Sequence, residues 1–222
     1  MLAIERHRAG TAARFPVRHL IGALLGGDEE EAFRVASGVL ADTGSRTTVF
    51  ADLLHPAQSE IGNLWYSGHL SYTDEVQAAA VVRRVVCRLP ATPAPRPVPP
   101  GSRCMLAMPH GDPHDLGLTM FALGLQDHGW TTELLGPARR LAEIAELVIA
   151  RRPRFFGLSA GAPPPAYETG QAITAIRRAG IPVLVGGVAF NRRPDLWHRL
   201  GVEGLGTDAR IGVVLAERVG SR

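Results

Sequence analysis

The sequence predicts an α/β protein: an N-terminal four-helix bundle, then a doubly wound, parallel, five-stranded sheet. Three observations carry that prediction. The segment LPATPAPRPVPPG, residues 89–101, has six prolines in 13 positions and can be neither helix nor central strand. Upstream of it, apolar residues recur at helical spacing. Downstream, short apolar runs alternate with amphipathic segments, the rhythm of parallel strands joined by right-handed helical crossovers. The expected boundaries are a bundle over 1–89, a linker over 90–101 running as semi-rigid polyproline II, and a sheet domain over 102–222.

The elements follow in order. PVRHLIGALL (16–25) reads as a first helix. DEEEAFRVASGVLAD (28–42) reads as a second, with Asp28 as N-cap and acidic residues in the first turn. TTVFADLLHPAQSEIGNLWYSG (47–68) is a third, which Pro56 should kink or interrupt. SYTDEVQAAAVVRRVVCRL (71–89) is the fourth, with Ser71 at its cap and Asp74 in its first turn. Strands are expected at CMLAM (104–108), TTELLG (131–136), RFFGLSA (154–160), IPVLVGG (181–187) and, more weakly, GVEGLGT (201–207). The helices between and after them are DLGLTMFALGLQDHG, LAEIAELVIARR, AYETGQAITAIRRAG and ARIGVVLAERV.

Composition excludes several function classes. With 222 residues, 45% apolar, the chain is long enough for one large domain or two small ones with real cores. The balance of 24 basic against 21 acidic side chains leaves +3, too little and too scattered for a nucleic-acid surface. Cys87 and Cys104 have no metal-type spacing and are expected as buried thiols in a reducing compartment. The start, MLAIERHRAGTAARFPVRHLIGALLGG, loosely imitates a signal peptide, but its apolar run is too short to span a bilayer. A cytoplasmic protein without membrane contact is expected.

Chemistry concentrates in MPHGDPHDLGL (108–118), where the first strand hands over to a helix. In a doubly wound sheet such a loop faces the ligand crevice. It lacks the GxGxxG of a dinucleotide site and the GK[ST] of a phosphate loop. His110 and His114 are four apart, but Gly and Pro between them break the helix a zinc pair needs. What remains is His114 with Asp112 two residues before it. The carboxylate can hold one ring nitrogen while the other faces the crevice as acceptor or metal ligand. A loop histidine that merely caps the helix is the alternative.

Residues 112–117 read Asp-x-His-x-x-Gly; Ser159 in LSAG follows after 41 intervening residues, and Gly186-Gly187 come later again. This spaced pattern resembles the cobalamin (vitamin B12)-binding signature DxHxxG…SxL…GG of methionine synthase, the methylmalonyl-CoA mutase group and light-sensing transcriptional regulators. The resemblance covers essentially residues 101–222 and implies a Rossmann-like cobalamin-binding domain. By position it makes His114 the lower axial ligand to cobalt and Asp112 its hydrogen-bonding partner. Asp115, Leu116 and Gly117 belong to the same loop. Ser159, Ala160, Gly161, Gly186 and Gly187 are implied to line the slot that takes the displaced nucleotide tail, which is the base-off binding mode. Gly161 stands where the signature has leucine, which should widen that slot. Some relatives add a hydroxyl beyond the His-Asp pair; here the stretch is Pro163–Pro165, so a relay past Asp112 is not expected.

IGNLWYSGHLSYTDEVQAAA (61–80) resembles the cap bundle that precedes the sheet in methyl carriers and light-sensing regulators. Trp65 and Glu75 fall in register with residues that cover the upper face of the corrin there, while Tyr66 and Val76 replace histidines. A phenol is a poor cobalt ligand near neutral pH, since it must first lose a proton of pKa ~10. His69, in the turn, is expected to be exposed.

The resemblance implies a cobalamin-binding regulatory or photoreceptor module rather than an enzyme of ordinary turnover. It binds adenosylcobalamin in the first instance, with methylcobalamin or hydroxocobalamin as other forms. The alternative is a corrinoid methyl-carrier subunit, whose loop usually continues Lys-Asn where this chain has Leu118-Thr119. No basic recognition helix precedes the bundle, so the expected partner is a regulatory protein or signalling enzyme, or a second copy of the chain in a homo-oligomer, rather than DNA. Some stand-alone members of the group pair cobalamin with a bilin, and no residue here marks a site for one.

Overall fold

The computed structural model describes residues 15–93, 99, 101–136, 139–193, 195 and 199–220. Much of the signal-like start and half of the polyproline-II linker lie outside the described residues. The chain divides into two compact units, Met1–Thr92 and Pro93–Arg222.

In the first unit α1 (Val17–Leu25) runs into a turn where Gly27 takes φ 69°. In α2 (Glu29–Thr43) the Asp28 carboxylate accepts the Glu31 N–H at 3.0 Å, and Glu29, Glu30 and Glu31 complement the helix dipole. Gly44, at φ 62°, ends it in a left-handed turn. The third helix begins as α3 (Arg46–Thr48), passes through a π-helical turn (Val49–Leu54) and continues as α4 (His55–Tyr66). Pro56 therefore does not interrupt it. The chain widens to i→i+5 bonding just ahead of the proline, with His55 N–H donating to Phe50, and Pro56 enters α4 in its first turn. In α5 (Tyr72–Arg88) Ser71 and Asp74 form a reciprocal capping box. Leu20, Leu24, Phe50, Leu53, Leu54, Ile61, Val81 and Val85 are fully buried and make the core. Arg84 and Arg88 of α5 pair with Glu29 and Glu30 at the start of α2; such exposed pairs add little beyond register. Cys87 departs from expectation, because it lies on the outer face of α5 and is exposed.

The second unit runs β1 (Arg103–Ala107), α6 (Leu116–Asp127), β2 (Thr131–Leu135), α7 (Leu141–Arg151), β3 (Phe155–Ser159), α8 (Ala166–Arg178), β4 (Val183–Gly186), α9 (Val188–Asn191), β5 (Gly204–Gly206) and α10 (Ala209–Gly220). The sheet order is β2-β1-β3-β4-β5, all parallel. One face packs Met105, Phe156 and Val183 against α7 and α8; the other packs Leu106, Phe155 and Leu184 against α6 and α10. Helices on both faces explain why β1 and β3 are nearly continuous apolar runs. Cys104 is buried in β1, and burial pushes its thiol up to about 12. The four-residue α9 was not anticipated. Among the described residues no helix is long and apolar enough to cross a membrane.

This strand order places the topological switch point between β1 and β3, so the loops leaving their carboxyl ends form the ligand crevice. Those loops carry His114 and Gly161.

Candidate functional site

The β1–α6 loop folds around Asp112. Its N–H donates to the Pro109 carbonyl at 3.1 Å, which turns the carboxylate inward, and its side chain is only 4% exposed. Oδ1 accepts the His114 N–H at 3.0 Å and pairs with His114 Nδ1 at 2.7 Å. Oδ2 reaches the β3–α8 loop, accepting the Gly161 N–H at 2.6 Å and the Ala162 N–H at 3.3 Å. One carboxylate thus ties together the two loops of the switch point. Burial alone would push the Asp112 carboxyl up. The hydrogen bonds from the His114 ring, then from the three backbone N–H groups, outweigh it and hold the group below its ordinary range. An ionised Asp112 requires Nδ1 to carry a proton, so that in the neutral imidazole Nε2 is the lone-pair nitrogen, on a side chain 59% exposed.

Asp115 and Leu116 are half-buried where α6 begins, and the Asp115 carbonyl accepts the Thr119 N–H of its first turn. Gly117 is exposed, and a Cβ there would meet nothing within 4 Å, so this side of the loop is open.

Across the switch point the glycines draw the backbone together. Ser159 closes β3 opposite Gly186, and the Ala160 N–H donates to the Gly186 carbonyl at 3.0 Å. Gly187 takes φ 88°, and a Cβ on it would lie 2.8 Å from the Ala160 nitrogen and closer still to its carbonyl oxygen. A Cβ on Gly186 would lie 2.9 Å from the Gly206 carbonyl oxygen. The glycine pair is therefore required by the fold's own packing.

Gly161 corrects one expectation. The space freed by the missing leucine does not widen a slot, because the His114 imidazole occupies it. A Cβ on Gly161 would fall 2.5 Å from Nδ1 and closer still to the ring's Cγ and Cβ. Beyond the His114 pair, the remaining partners of the Asp112 carboxylate are the N–H groups of Gly161 and Ala162. Backbone donors leave no side-chain signal, and sequence reasoning missed Ala162 for that reason.

In the helical unit Trp65 is 41% and Tyr66 82% exposed, Glu75 is half-buried and Val76 exposed. Trp65 is thus not a core residue; it packs on Tyr72 with ring centroids 6.1 Å apart. His69 is exposed in the turn, its Nδ1 2.8 Å from Ser67 Oγ.

A family model described as a B12 binding domain matches residues 102–214, and a second B12 binding domain model matches residues 17–89. The chain belongs to the B12-binding family. It binds cobalamin through a domain of this family, preceded by the family's helical domain. The chain is similar to the HTH-type transcriptional repressor CarH of Myxococcus xanthus, 33% identical over 157 residues, which are 69% of this chain and 51% of CarH. It is also similar to the repressor CarA of the same organism, 31% identical over 109 residues, 48% of this chain and 38% of CarA. The matches thus span about half or less of those relatives' lengths. Among solved structures, the monomethylamine corrinoid protein of Methanosarcina barkeri superposes with a TM-score of 0.72 at 12% identity, over 90% of this chain and 96% of that one, a likeness of fold.

The residues present fit a cobalamin. A histidine with one ring nitrogen pinned by a buried carboxylate suits an axial metal ligand, and Gly117 leaves the loop beside it open. Among the described residues no cluster of three or more His, Cys, Asp or Glu side chains forms a metal site of another kind.

Proposed function

We propose that this chain is a cobalamin-dependent regulatory module. It holds adenosylcobalamin base-off with His114 Nε2 as the lower ligand and passes a light- or cofactor-driven change to a partner protein. The Asp112–His114 pair at the switch point carries the reading, since it presents one tautomer of one exposed ring at the place where such sheets take their ligands. Bound cobalamin would supply a cobalt–carbon bond that light can break.

The protein's own residues position and report. Asp112 keeps the proton on Nδ1 and so keeps Nε2 basic toward the metal. Ser159, Ala160, Gly161, Gly186 and Gly187, with Asp115, Leu116 and Gly117, make the cradle for the nucleotide tail. Trp65 and Glu75 serve the upper axial group, with Tyr66 and Val76 in the positions where related caps carry histidine. The similarity to two transcriptional repressors supports a regulatory role over the methyl-carrier alternative.

The test is reconstitution with adenosylcobalamin in darkness, followed by absorbance and size-exclusion profiles before and after green light. A spectral change with altered assembly is expected. A light-inert protein that accepts methyl groups from a corrinoid methyltransferase would overturn the regulatory reading in favour of the carrier.

A further inference from the structure

Gly161 is a glycine for a reason other than its backbone. Its φ is not among the positive values, so an L side chain is conformationally allowed there. What forbids one is the His114 side chain, which lies where the new side chain would project, with the ring atom Nδ1 2.5 Å from an ideal Cβ position, the ring atom Cγ nearer and the His114 Cβ nearest. Ordinary carbon contacts need about 3.5–4.0 Å, so even an alanine methyl forces the ring or the loop to move by about an ångström. The same residue donates its N–H to Asp112 Oδ2 at 2.6 Å, while Oδ1 holds Nδ1 of the ring. Gly161 thus touches the histidine on one side and anchors the carboxylate that orients it on the other.

We propose that Gly161 is the positioning residue for His114: its missing side chain is the seat of the imidazole, and its N–H fixes the carboxylate that selects the ring's tautomer. The leucine that the resembled signature carries here is incompatible with this arrangement. A side chain at 161 displaces the ring from its seat and lengthens or breaks the Asp112 bridge, while Ser159 at the end of β3 and Gly186-Gly187 at the end of β4 remain. The consequence for cobalt rests on the proposed reading of His114 as lower ligand; the consequence for the ring's tautomer does not.

The experiment uses Gly161→Ala and Gly161→Leu in the full chain, each compared with wild type by thermal unfolding. Gly161→Ala adds one methyl and is decisive on its own if Gly161→Leu does not fold. In the protein without cofactor, nitrogen-15 spectra of the His114 ring should show a hydrogen-bonded Nδ1–H tautomer in wild type and its loss in the variants. In protein loaded with cobalamin and reduced to cobalt(II), electron paramagnetic resonance should show axial nitrogen splitting from histidine in wild type and its loss in the variants, with cobalamin still retained on desalting. Variants that keep both the tautomer signal and the axial splitting overturn the assignment of Gly161. Loss of the tautomer signal in variants, with no histidine splitting even in wild type, supports the seat and overturns the cobalt reading instead.

Discussion

Replacing Asp112 by asparagine isolates what the carboxylate contributes, because shape is conserved and charge is not. Asp112 accepts four hydrogen bonds, at 2.6, 2.7, 3.0 and 3.3 Å, with its side chain 4% exposed. An asparagine oxygen can keep those on one side. Its NH2 then faces the Gly161 and Ala162 N–H groups, so two donors lose their acceptor, or, if flipped, it faces the His114 N–H, which loses its acceptor, and a ring that must take the other tautomer to accept at Nδ1. Hydrogen bonds to a charged group contribute about 1.5–3 kcal/mol each, and the longest of these is weak. Since Ala162 and His114 reach solvent and recover part of the loss by hydration, the net cost should be about 2–4 kcal/mol. The assay is urea denaturation followed by near-ultraviolet circular dichroism, to which the buried Trp130 ring stacked edge-on against Phe155 should contribute. The pH dependence has a definite sign. The folded Asp112 carboxyl lies below its ordinary value, so its contribution is complete above a pH of about 3.9 and is lost as pH falls through the lower folded value. Wild type should therefore exceed Asp112→Asn at pH 7 and lose that margin only under acid conditions. A variant within about 0.5 kcal/mol of wild type at pH 7, or a margin that grows toward acid, would refute the role assigned to the carboxylate.

Three other outcomes are expected. Gly187→Ala should cost about 3 kcal/mol or more by urea denaturation, since φ 88° is a glycine conformation and the new Cβ would press on the Ala160 backbone; a near-neutral variant would contradict this. Ser71→Ala removes one half of a capping box and should cost about 1 kcal/mol in the helical unit, read by far-ultraviolet melting, without changing the His114 ring spectrum. With Ellman's reagent the native chain should show one fast thiol, Cys87, while Cys104 reacts only on unfolding; two fast thiols would mean that β1 is not buried as described.

Much of this was legible in the sequence. β1, β3 and β4 announced themselves as apolar runs because both faces of the sheet are covered there, whereas TTELLG, expected as a buried strand too, forms the edge strand β2 and is only partly buried; Ser71, Asp74 and Asp28 marked helix starts through local side-chain hydrogen bonds. Asp112 and His114 are two residues apart, so their pairing was a local inference. The rest depends on contacts between distant segments. Nothing near Gly161 indicates that a histidine 47 positions earlier fills its side-chain space, and the donors that complete the Asp112 shell are main-chain groups. The π-helical turn before Pro56 carries the helix past a residue without an N–H, which a rule that proline breaks helices does not foresee. Cys87 is expected buried from its residue type alone, yet it shares the outer face of α5 with the exposed Arg83, Arg84 and Arg88, offset from the buried pairs Val81-Val82 and Val85-Val86.

The most direct test of the central claim uses protein in which histidine alone carries nitrogen-15, loaded with cobalamin and reduced to cobalt(II). Coordination by His114 Nε2 predicts that the axial superhyperfine pattern changes from triplets in unlabelled protein to doublets on labelling, and that His114→Ala abolishes the doublets. Triplets that persist in the labelled protein would show that the vitamin's own benzimidazole remains on cobalt, and would contradict the account.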